Sequence, residues 1–176
     1  MTIFSGPAQA YAVGRSFFAN VTTSVTRPAD TTAYAANDAI SDSTSAPTVL
    51  TLAGVAQENK HGGIIRGCTL VKSTSTMTLA SFSVLVLRTT FTALEDNAAV
   101  DLTDAEALTM IGGFAFAAAD GLALTNNAVW NKTNLDLPFV CESTSDDLYL
   151  VLRADAGYTP ASAEVFSLAL LIEWPA

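Results

Sequence analysis

The chain has one histidine, His61, inside the turn Gln57-Glu58-Asn59-Lys60-His61-Gly62-Gly63. A Ser–His–Asp or Cys–His set would have to use it, because an imidazole is the base that activates those nucleophiles. A histidine in a Gly-rich turn reads more simply as a solvated turn residue. No G-x-S-x-G elbow, Walker loop or G-x-G-x-x-G is present. Gly112-Gly113 lacks the lysine that a phosphate loop places after its glycines.

Cys68 and Cys141 are far apart in sequence, and with one histidine they cannot build a structural zinc site of usual spacing. Two reduced, buried thiols are expected, with a disulfide clasp as the alternative. Calcium needs only oxygen ligands. Glu95, Asp96, Asn97, Asp101 and Asp104 crowd one loop, and Asp146-Asp147 form a pair. They read either as ion ligands or as a solvated acidic loop with turn and capping duties; no EF-hand pattern favours the ion. Paired carboxylates for glycoside hydrolysis can come from any two strands. Glu173, beside Trp174, is the one acid in a plainly apolar strand. It reads as a carboxyl of raised pKa or, more simply, as a strand-end charge reaching solvent. The expectation is a chain that is not an enzyme, with no metal and no cofactor.

Trp130 lies between Thr125-Asn126-Asn127 and Lys132-Thr133-Asn134. A tryptophan in an Asn-rich loop can stack on a sugar or anchor an interface, and it can equally fold back onto the core. The Asn-x-Thr sites at Asn20 and Asn131 matter only for a secreted chain.

Composition narrows the classes. Half of the 176 residues are apolar and only 14% are charged, with a net charge of −9. That length fits one domain, 1–176, able to bury a core. So acidic a chain repels phosphate backbones, and no basic cluster offsets the repulsion, so direct nucleic-acid binding is not expected. Low charge also suits contact with another subunit, since interface cores are depleted of charge. Residues 1–10 carry neither a basic region nor a long apolar run, so no secretory leader is expected. No stretch approaches the roughly 20 apolar residues of a membrane helix.

The elements that must carry these residues are short apolar runs split by turn residues. Strands are expected at 16–26, 49–55, 64–73, 77–90, 113–117, 122–124, 137–142, 148–154 and 166–174, from their β-branched, aromatic and alternating residues. Pro28 should end the first, and Gly67 should mark a bulge in the third. Phe82, Val84 and Val86 face one way and Ser83, Leu85 and Leu87 the other, so this strand should be central and covered on both faces. Thr103-Asp104-Ala105-Glu106 is a capping box opening a helix of about two turns that Gly112-Gly113 would stop. The fold class expected is all-β: a jelly-roll-like β-sandwich of about eight strands with one short helix.

Three segments carry a resemblance. They are VTRPADTTAYAANDAISDST (25–44), FTALEDNAAVDLTDAEAL (91–108) and DDLYLVLRADAGYTPASAEVF (146–166), together about a third of the chain. In this order they resemble the capsid decoration (cement) proteins of tailed phages. The resemblance implies a homotrimer on the outside of an icosahedral head, partnered with the major capsid protein and located on the virion after assembly in the host cytoplasm. The apolar piece 1–18 then becomes an N-terminal arm, or else an edge strand with a frayed end. Phe4, Tyr11, Phe17, Phe18 and Trp130 are the candidate interface residues. A glycan- or receptor-binding head-fibre or tail module is the alternative, in which Trp130 and Tyr158 would matter.

Overall fold

The computed structural model describes residues 16–56 and 62–174. Ten strands lie among them: β1 (Phe17–Thr26), β2 (Ala39–Ile40), β3 (Leu50–Leu52), β4 (Gly62–Lys72), β5 (Phe82–Leu87), β6 (Met110–Phe116), β7 (Leu122–Ala123), β8 (Ala128–Val140), β9 (Leu148–Ala154) and β10 (Val165–Trp174). Helix α1 (Asp104–Ala107) and a 3-10 turn (Ala118–Asp120) flank β6. Phe4, Tyr11 and His61 lie outside the described residues.

The strands form two sheets packed as a sandwich. One runs β1-β10-β4-β8-β7, the other β2-β9-β5-β6 with β3 also paired to β9. Every strand pairing is antiparallel. The alternation of strand residues explains the two layers. Phe166, Leu168, Leu170 and Ile172 of β10 are buried, while Ser167, Ala169 and Leu171 between them are only partly covered. Strand β5 sits between β9 and β6 and is buried almost throughout, as its two apolar faces require.

Phe82 is the hub of the core. Its ring meets Trp130, Tyr158 and Phe166 edge-on at centroid distances of 5.5, 5.4 and 5.3 Å. Such T-shaped pairs set the positive edge of one ring against the negative face of another and add about 0.5–1.5 kcal/mol each beyond burial.

Several elements match the pattern in the sequence. β1 ends at Thr26, just before Arg27-Pro28. The β4–β8 register shifts between Ile65 and Gly67. A Cβ at Gly67 would stand 2.8 Å from the Lys132 carbonyl oxygen, so only glycine fits the bulge. The capping box at Thr103 is present, with both reciprocal hydrogen bonds.

Others differ. Helix α1 is one turn, and Gly112-Gly113 do not stop it; they lie in β6. A Cβ at Gly113 would come within 3.0 Å of the Val84 carbonyl oxygen on the neighbouring strand, and one at Gly112 within 2.8 Å of the Leu137 side chain in β8, so these glycines serve close pairing and close sheet packing respectively. The strand expected over 77–90 begins only at Phe82, because Leu79 takes the left-handed conformation (φ 55°) in a turn. The strand expected over 49–55 is cut to Leu50–Leu52, with Gly54 at φ 67° closing it. The Asn-rich stretch around Trp130 is not a loop: it is the first part of the 13-residue β8.

Candidate interaction surface

The polar groups that looked chemically capable are mostly enclosed. Arg27 and Asp96 form an ion pair at 3.0 Å with both side chains fully buried. Tyr34 Oη donates to Asp96 Oδ1 at 2.6 Å, and the Ser41 amide donates to the same oxygen at 3.0 Å. Arg27 Nε donates to Tyr34 Oη at 2.9 Å. Asp96 is therefore turned inward and its lone pairs are occupied. It stands apart from Glu95, Asp101 and Asp104, the loop neighbours that made it a calcium candidate. Among the described residues, no three His, Cys, Asp or Glu side chains converge as a metal site would need.

A second buried pair joins Lys72 Nζ to Glu164 Oε1 at 3.0 Å. Lys72 Nζ also donates to the Thr74 carbonyl oxygen at 2.9 Å, and Tyr158 Oη and Thr74 Oγ1 donate to the Glu164 carboxylate. Burial first, then the neighbouring carboxylate, pushes each tyrosine hydroxyl well above its ordinary pKa. Each pair is a saturated clasp with no room for a substrate.

The remaining candidates resolve individually. Trp130 is fully buried, with Nε1 donating to the Ala117 carbonyl oxygen at 3.0 Å, so it is a core residue and not a surface anchor. Tyr158 is likewise enclosed. Glu173 does not reach solvent freely: it is 9% exposed and paired with Arg66, which also contacts Asp136. Hydrogen bonding from Ser16, then Arg66, lowers its pKa, the opposite of a raised carboxyl. Asp147 Oδ1 accepts the Gly54 amide at 2.9 Å, a loop-tying duty. Both cysteines are free and buried.

What the fold leaves outside is a charge-poor sheet face. On the outer side of the β1-β10-β4-β8 sheet, one cross-strand row is Ser24, Ser167, Val71 and Val129. The next is Thr22, Ala169, Thr69 and Asn131, and a third is Asn20, Leu171, Gly67 and Thr133. None of these carries a charge, in a protein of net charge −9. The fourth row, Phe18, Glu173, Ile64 and Pro138, holds one acid, which Arg66 neutralises. Charge depletion of this kind marks interface cores.

Two apolar features flank the end of that face. Phe17 and Phe18, at the start of edge strand β1, are 56% and 58% exposed. Across the sheet, an open groove of about 350 Å³ runs between α1, β6 and the end of β8. Leu108, Met110 and Val140 line it while exposing 81%, 46% and 65% of their surface. Arg88 stands at its rim. Among the described residues Arg27, Arg66, Lys72, Lys132 and Arg153 each contact a carboxylate, and Arg88 has no acidic partner. The crevice between β2, β3 and β9 offers only about 20 Å³, room for about one water.

The exposed rings at 17 and 18 sit where the sequence placed interface candidates. The charge-poor face and the groove were not legible, because they depend on which strands become neighbours. Neither a scan of protein-family models nor a search of curated proteins finds a match to this chain.

Proposed function

We propose that this chain is a structural virion protein, a decoration module that binds the outer surface of an icosahedral phage head as a homotrimer and stabilises it. The observation that carries the reading is the division of polar groups: the ionisable clusters are locked inside, and a wide outer sheet face is left almost free of charge. A protein whose task is to cover and clamp needs contact area, not a reactive cleft. The sequence resemblance supplies the identity of the partner, the major capsid protein.

The strand order supports the finer reading of the fold as a jelly roll. Setting aside the short β3 and β7, successive strands alternate between sheets except at the β5–β6 hairpin, which stays in one sheet, to give β1-β10-β4-β8 opposite β2-β9-β5-β6. That is the arrangement two interleaved Greek keys produce. The competing glycan-binding reading has lost its aromatic platform, since Trp130 and Tyr158 belong to the core.

Binding to heads tests the proposal. Purified protein added to expanded, undecorated heads should bind saturably and raise their melting temperature, because a ligand specific for the assembled shell stabilises it by mass action. Absence of binding at micromolar concentration rejects it.

A further inference from the structure

We infer that the apolar groove at Leu108, Met110 and Val140 receives the Phe17–Phe18 pair of a second copy, in a head-to-tail contact. Each half is visible on the surface. The two rings protrude from edge strand β1, and the groove opens between β6 and the end of β8. Phe18 and Pro138 stand in one cross-strand row, separated by Glu173 and Ile64. Three strand spacings put the two features about 14 Å apart, at opposite edges of the same end of the sandwich. One copy cannot fill its own groove with rings so placed, whereas a neighbour can.

Charge argues for a copy of this chain as the occupant. Copies that each carry −9 repel unless they meet through neutral or positive ground. Beside the two phenylalanines the nearest acid in their strand rows, Glu173, is paired with Arg66, which it shares with Asp136. The groove carries Arg88, which has no carboxylate partner among the described residues. Apart from Arg88, the residues that line the groove carry no charge, so an acidic copy meets no acid within it. Because knob and groove are different surfaces, the contact is heterologous and closes into a ring when the rotation permits.

Mixing complementary variants tests this without phage heads. Phe17→Asp/Phe18→Asp removes the knob and keeps the groove; Leu108→Asp/Val140→Asp removes the groove and keeps the knob. Light scattering at tens of micromolar should show an oligomer for the natural sequence and a monomer for each variant. An equimolar mixture should form a one-to-one heterodimer, since that pair retains a single intact contact. A monomeric natural protein, a groove variant that still oligomerises, or a mixture that stays monomeric each overturns the inference. Circular dichroism checks folding, with Phe17→Ser/Phe18→Ser as a milder knob variant. Head binding is scored separately: a monomer that decorates heads defeats this contact alone, and an oligomer that ignores heads defeats the capsid reading alone.

Discussion

Tyr34 and Tyr158 stack with ring centroids 6.4 Å apart and planes within 5° of parallel, and each ends on a different buried carboxylate. Tyr34 meets Asp96 beside Arg27, and Tyr158 meets Glu164 beside Lys72. The Arg27 amide also donates to the Glu164 carbonyl oxygen at 3.1 Å, so the two clasps share a backbone link. Arg27 follows β1, and Glu164 immediately precedes β10. The double clasp therefore fixes the corner where the first and last strands of the sandwich come together.

Breaking one partner of a clasp should be costly. Asp96→Ala leaves the buried Arg27 guanidinium only the part-exposed Asp30 carboxylate as counter-charge, a change worth about 3 kcal/mol or more. Tyr34→Phe keeps the stack but removes a donor from the carboxylate, costing about 1–3 kcal/mol. Urea denaturation of both variants measures the difference. A loss for Asp96→Ala no larger than that for Tyr34→Phe would contradict the assignment of Asp96 as the anchor.

Packing around Trp130 gives a second prediction. Gly121 lies against its indole: a Cβ there would stand 2.6 Å from Trp130 Nε1 and would also strike Met77. Gly121→Ala should therefore destabilise by about 1–3 kcal/mol through overpacking. Trp130→Ala should cost about 3–5 kcal/mol through the cavity it leaves. Thermal melts report both, and an unchanged melting temperature for Gly121→Ala would mean that the wall of the core yields there.

Acid should loosen the α1 cap. The Glu106 carboxylate accepts the amides of Thr92 and Thr103, and these bonds lower its pKa to about 2, against about 4.3 in an unfolded chain. A depressed pKa adds stability that is present above about pH 4.3 and is lost as pH falls through about 2. An NMR titration of the Glu106 side chain should give a midpoint near the lower value. Glu106→Gln should remove that part of the acid sensitivity.

Alkali should act through the thiols. Burial pushes Cys68 up to about 12 and, with Asp146 and Asp147, Cys141 to about 11. Unfolded thiols titrate near 8.5, so this contribution to stability is whole below about 8.5 and declines as pH rises toward the folded values. Both thiols should resist a disulfide reagent at pH 8 until denaturant is added. Fast labelling of the native protein would place at least one of them at the surface.

The parts of this fold legible in the sequence are those whose cause is local. The alternation of β10, the proline after β1, the glycine in the β4 bulge and the Thr103–Glu106 cap each announce themselves within a few residues. Strand β8 did not, because its outward positions run Val129, Asn131 and Thr133 and its inward ones include only Ala128 and Trp130 before Asn134 and Asp136 turn to positive φ. That local pattern reads as a polar loop. Asp96 was hidden for a different reason. Composition cannot separate an acid turned inward toward Arg27, 69 residues away, from its solvated loop neighbours. The same holds for the charge-poor face, whose rows take residues from four distant segments.

The pairing of Phe17 with Trp174 has a mechanical consequence. The chain enters β1 and leaves β10 at the same corner, and the ladder bonds between antiparallel strands run across the strands. A force that pulls Ser16 away from Trp174 therefore opens the β1–β10 seam like a zipper, one bond at a time from that corner. A force along the strands must shear the whole ten-residue seam together. A load carried on the broad face strains this protein least, because it does not pull that corner open.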